Sequence, residues 1–125
     1  MRITYTSIYT DEAGESHFRD AEIELSETVI GPQIPPLGAT PSAPASDYYF
    51  LTFPPGLFVD WHPAPRRLFH FFLAGQSEVT VSDGETRTFC QGEIVLAEDT
   101  TGIGHTTRNP GPITTLMAVV ALPKS

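Results

Sequence analysis

The chain has 125 residues, 15 Asp and Glu against 7 Lys and Arg, a net charge of −8 and a pI near 4.7. So acidic a chain repels nucleic-acid phosphates and anionic lipid surfaces, which excludes both as expected partners. Cys90 is the only cysteine, so no internal disulfide forms.

The length suits one domain with its own core, and residues 1–125 are read as such. The start, MRITYTSIYTDEAGE, has no apolar signal core, and no run is long enough to span a bilayer. Cytoplasm is the expected location. Twelve Pro and ten Gly leave little room for long helices but suit short strands bounded by turns, so the expected class is all-β.

Arg2 to Tyr9 alternates well enough for a strand, and Thr10 to Ser16 reads as a turn. Asp20 to Leu25 alternates cleanly, with Ile23 and Leu25 on one face and Glu22 and Glu24 on the other. His17 precedes it in what reads as a polar surface loop. These are the N-terminal strands, residues 1–30. Residues 31–46 carry five Pro and two Gly and read as an arm without regular structure. The barrel core is then expected over residues 47–123.

Asp47 to Phe53 is aromatic and β-branched, a strong strand ended by Pro54-Pro55. The stretch GLFVDWHPAPRRLFHFFLAG, Gly56 to Gly75, holds the only Trp, two of the four His and an Arg pair. Pro63 and Pro65 should end its first strand after His62, because proline cannot donate a ladder hydrogen bond. In its second strand Leu68, His70 and Phe72 share one face, and Phe69, Phe71 and Leu73 the other. Both faces are apolar, so this strand is buried on two sides. Gln76 to Ser82 is a strand with Val79 and Val81 inward, and Asp83-Gly84 turns it back as Thr86 to Phe89. Gln91-Gly92 turns into Glu93 to Ala97. A polar loop, Glu98 to Gly104, leads to a short strand, His105 to Arg108. Asn109 to Pro112 turns into the last strand, Ile113 to Leu122. Nine or ten short strands at even spacing make a sandwich or barrel.

Two motifs carry a resemblance. Gly56, five residues, His62 and the later Gly75 match the first signature of the cupins, which runs Gly, five residues, His-x-His, three or four residues, Glu, six residues, Gly. Ala64 stands at its second His and Leu68 at its Glu. The second signature runs Gly, five residues, Pro-x-Gly, two residues, His, three residues, Asn. Gly92 matches it, and His105 with Asn109 follows two residues late, with Glu98 in the Pro place and Thr100 in the Gly place. The chain thus resembles the cupins from Tyr48 to Leu122. WHPAPRR and AEDTTGIGH are similar to a subgroup of small single-domain cupins, most without an assigned activity. The resemblance implies a double-stranded β-helix, or jelly-roll barrel, around a small-molecule pocket.

It also implies that His62 and His105 stand at site positions. If a divalent metal (zinc, iron, manganese or nickel) is bound, His62, His105 and His70 are its expected ligands; no other cofactor is expected. Without a metal, His62 and His105 form the expected catalytic acid/base pair, since histidine titrates near neutrality. Glu98 assists if it enters the barrel mouth in step with Ile94 and Leu96. Asp99 is read as capping its turn through backbone N–H groups. His70, Phe72, Phe58, Asp60 and Met117 are the expected ligand-binding residues, with one of Tyr48 and Tyr49 facing in. The plainer reading of His70 is a core histidine, and Arg66 and Arg67 read as surface charges. The apolar face of Phe69, Phe71 and Leu73 needs cover, which the N-terminal strands or a second subunit can give; a homodimer crossed by the proline-rich arm is the expected arrangement.

The expected function is an enzyme of isomerase, cyclase or lyase type acting on a small organic molecule. The alternatives are a non-catalytic small-molecule-binding barrel and a metal-dependent oxygenase.

Overall fold

A computed structural model describes residues 1–124. It contains twelve strands: β1 Arg2–Thr10, β2 Ser16–Glu24, β3 Ser26–Thr28, β4 Leu37–Ala39, β5 Asp47–Phe53, β6 Phe58–His62, β7 Leu68–Ala74, β8 Gln76–Val81, β9 Thr86–Cys90, β10 Ile94–Ala97, β11 His105–Arg108 and β12 Thr115–Ala121. Ten of them form a six-stranded sheet in the order β2-β1-β10-β7-β12-β5, facing a four-stranded sheet in the order β6-β11-β8-β9, and β3 and β4 pair apart from both. The class is all-β, as the alternation and turn residues demand. Among the described residues no helix is long and apolar enough to cross a membrane.

The inner faces meet in a core that includes Ile8, Phe18, Phe72, Val79, Phe89 and Met117. Phe89 ties the sheets together, lying 6.0 Å from both Phe72 and Phe18 between ring centroids. A buried aromatic side chain contributes roughly 1.5–3 kcal/mol through its burial, and such ring pairs add to that. Leu68, Phe72 and His70 share the inner face of β7, as alternation requires.

The outer face of the large sheet stays open in part. Leu73, Tyr48 and Phe50 are exposed there, and Tyr48 keeps 77% of its surface in solvent. The arm is less featureless than its prolines suggest. β3 and β4 pair as a short hairpin, Glu27 opposite Gly38, with Val29, Ile30 and Leu37 exposed. Only its second strand falls within residues 31–46.

A second difference lies at the start of β2. This strand begins at Ser16, four residues earlier than its alternation shows, so His17 is a strand residue and not a loop residue. Its ring nitrogens meet Asp11 and Asp83, both at 2.7 Å, linking the β1–β2 turn to the β8–β9 turn. The Asp11 hydrogen bond, then that of Asp83, raises its pKa above the ordinary value. A raised histidine favours the folded state below pH 6.5, and that contribution fades as pH rises through the shifted value.

Candidate functional site

Between the sheets lies a cavity of about 230 Å³. It is small beside the roughly 300–1,000 Å³ of typical ligand pockets. His62, His70 and His105 all line it, in a lining otherwise mostly apolar.

His62 ends β6 and His105 begins β11, and the two are direct cross-strand partners. Their ring centroids stand 4.7 Å apart, with the planes tilted by 54°. Each ring is anchored through Nδ1. His62 Nδ1 donates to the Asp60 carbonyl at 2.8 Å. A carbonyl only accepts, so this bond fixes the proton on Nδ1 and leaves a lone pair on Nε2 of the neutral ring. His105 Nδ1 meets Asp99 Oδ2 at 2.5 Å, and Asp99 is fully buried. Both Nε2 atoms are therefore the ones left for a ligand.

The loop before His105 is fastened on several sides. Ala64 N donates to Asp99 O at 2.9 Å, Ser16 Oγ to Gly104 O at 2.6 Å, and Ile103 N to Gly14 O at 3.0 Å. These bonds hold Asp99 behind His105. Asp99 is thus more than a turn cap: its carboxylate holds His105 of the histidine pair. It shares parity with Ala97, which lines the cavity, but the uniformly apolar IVLA gives no sequence signal for that face.

Glu98 does not enter the barrel. It lies on the other face, where its carboxylate accepts from Ser7 Oγ at 2.7 Å and from Arg67 at 3.0 and 3.2 Å. Val95 and Ala97 are the inward residues of β10, so Glu98 follows Ile94 and Leu96 outward. Arg67 is consequently a partner of Glu98, while Arg66 pairs with Asp47 at 2.6 Å.

Asp60 and Phe58 are also displaced from the expected pocket, for a different reason. The pairing of β11 with β6 runs His105 to His62 and then Thr107 to Val59, a register shift that places a β-bulge between them. One extra residue on β6 reverses the alternation. Val59 joins His62 on the cavity, while Asp60 and Phe58 are exposed. Asp60 keeps a supporting part through its backbone carbonyl, and its side chain caps Trp61 N at 2.8 Å. Phe72 and Met117 line the cavity as expected, and of the two tyrosines it is Tyr49 that reaches it.

His70 projects from the opposite sheet. Burial, and then the neighbouring His105, push its pKa down to about 4, against a weaker pull from the Val95 backbone. What surface it keeps lies on the cavity. It is a neutral ring at neutral pH.

Solved structures place this architecture. A cupin domain from Bordetella pertussis superposes with a TM-score of 0.51 and 17% identity over 82% of this chain and 96% of its own. A Cupin 2 conserved barrel domain protein from Salinispora arenicola does so at 0.50 and 24%, over 61% of each chain. The chain has the cupin fold. An uncharacterized conserved protein with a double-stranded β-helix domain from Klebsiella pneumoniae is similar at 0.50 and 21%, over 61% of this chain and 65% of that one. The chain thus spans less than two thirds of the Salinispora and Klebsiella proteins. No family model matches the sequence, and no curated protein does.

The donor set does not fit the three-His, one-carboxylate metal centre that the cupin resemblance implies. Ala64 and Leu68 stand at the second His and the Glu, and both line the cavity without a donor atom. Among the described residues, no three His, Cys, Asp or Glu side chains gather as a metal-holding group. His62 and His105 alone make two ligands, too few for tight divalent binding. Elemental analysis of protein purified without chelator is expected to find well under one equivalent of metal per chain. A stoichiometric metal lost on His62→Ala would overturn that expectation.

Proposed function

We propose that this cupin-fold chain binds a small, largely apolar organic molecule and performs acid/base chemistry on it, of the isomerase, cyclase or lyase kind. The observation that carries the reading is the facing pair His62 and His105, each tied through Nδ1 and set in an apolar cavity. A ring fixed through Nδ1 presents Nε2 in one orientation. That is the arrangement in which histidine transfers protons efficiently. His62 offers the lone pair that takes a proton. Asp99 holds the His105 ring and its Nδ1 proton, so Nε2 is the atom that exchanges a proton with the bound molecule. His70, kept neutral by burial, contributes a hydrogen bond and not a charge. The apolar walls exclude water from the transfer.

A non-catalytic binding barrel is the second reading. The outward placement of Glu98 favours it, because no carboxylate side chain lines the cavity.

The two readings separate in heavy water. Small aromatic ketones and aldehydes with an acidic C–H would be incubated with the protein in D2O and followed by proton NMR. Catalysis predicts exchange at that carbon, lowered about 10²–10⁴-fold by His62→Ala or His105→Ala, the usual range for a positioned acid or base. Binding without exchange, with both variants changing affinity alone, would leave the binding barrel.

A further inference from the structure

We infer that the ligand of this cavity is amphipathic, with a second polar group lying along the four-stranded wall and hydrogen-bonded by Ser77, or by Thr107 on the way to it. This rests on the reading of the cavity as a ligand site.

The two walls differ in chemistry. The six-stranded sheet contributes Leu51, Phe53, Phe72, Val95 and Met117 among others, with Tyr49 and His70 its only polar lining residues. The four-stranded sheet contributes His62, His105, Thr107 and Ser77, with Val59 and Val79 between them. Polar groups are therefore concentrated on the four-stranded side, with Tyr49 and His70 alone on the other.

They also run in line. Thr107 lies two residues beyond His105 on β11 and pairs with Val79. Ser77 lies two residues beyond Val79 on β8, while Val81 pairs with His105. At about 3.3 Å per strand residue, Thr107 is roughly 7 Å and Ser77 roughly 13 Å along the wall from the histidine level.

Ser77 makes this more than a pattern. The residue is 1% exposed, it lines the cavity, and its hydroxyl has no hydrogen-bond partner. Buried hydroxyls are nearly always paired, so an unpaired one at the wall of a cavity calls for a partner from within it. A ligand that meets the histidines at one end and carries a hydroxyl, amide or carbonyl further along supplies that partner. Its apolar face lies against the opposite wall.

The probes are 4-alkylphenols with two to five side-chain carbons and their ω-hydroxy counterparts, titrated calorimetrically into the full chain. The phenol meets the histidine end, and the side chain runs along the wall. At least one ω-hydroxy compound is expected to bind roughly 2- to 12-fold tighter than its alkyl partner, the worth of one hydrogen bond. Ser77→Ala or Thr107→Val should abolish that preference while keeping affinity for the alkyl compound. Unliganded Ser77→Ala should melt at the wild-type temperature or above it, because the hydroxyl loses no internal partner. His62→Ala tests the underlying site separately, since it should weaken both members of each pair equally. If no ω-hydroxy compound outbinds its alkyl partner in the wild type, the inference fails. A lower melting temperature for Ser77→Ala with the preference intact would show the hydroxyl serving a structural water, and would also overturn it.

Discussion

Gly104→Ala is expected to cost about 3 kcal/mol or more and to lower the melting temperature by roughly 10 °C, where the same change at Gly84 costs about 1 kcal/mol. Both glycines have positive φ, +79° at Gly104 and +98° at Gly84, so each pays the left-handed penalty when a Cβ is added. The difference lies in what the Cβ meets. At Gly84 nothing lies within 4 Å, while at Gly104 it would run into the His62 carbonyl and the Pro63 nitrogen. These are backbone atoms beside a proline corner, and they cannot swing aside. Relief requires β6 and the Gly104 loop to part, and that loop carries Asp99 and leads into His105. The variant should therefore also separate the two imidazoles. Thermal melts of the two variants compare them directly, and equal losses would sink the close-approach argument.

The regular parts of this fold were legible because their alternation has contrast. β7 shows Leu68, His70 and Phe72 inward because its pairing with β10 and β12 is regular from Leu68 to Phe72, and the register shift against β12 comes only after Phe72, at Leu73. The failures share a physical cause. Parity assumes an unbroken strand, and the bulge between Val59 and His62 carried Asp60 and Phe58 off the cavity. Nothing in FVDWH marks that bulge; it arises from pairing with β11. In IVLA every residue is apolar, so alternation cannot tell inside from outside, and stepping with Ile94 and Leu96 carries Glu98 outward instead of into the barrel mouth. Ser77 and Thr107 were within reach, for they share parity with Val79 and His105. The expectation of a second subunit rests on the apolar outer face, where Leu73, Tyr48 and Phe50 stand exposed.

His70 should make the stability of this protein fall as pH drops from 6.5 to 4, by about 2–3 kcal/mol. In the unfolded chain the imidazole takes up its proton near its ordinary value of 6.5, whereas in the folded chain burial delays this to about 4. Between those values the unfolded state binds more protons, so acid favours unfolding. Above pH 6.5 the histidine is neutral in both states and adds no slope, and below about pH 4 the loss is complete. His17 has the opposite sign and acts above pH 6.5, so the two do not overlap. The measurement is urea unfolding across this range for the wild type and for His70→Leu, which keeps an apolar group on that wall. The difference between the curves reads the His70 contribution, its repulsion with the neighbouring His105 included. That difference should change by about 2–3 kcal/mol between pH 7 and pH 4 and stay flat above pH 7. Parallel curves throughout would mean that His70 takes up its proton in the folded state as readily as in the unfolded one. The cavity would then be wet enough to admit a charge, and the apolar setting that the proton-transfer reading requires would be lost with it.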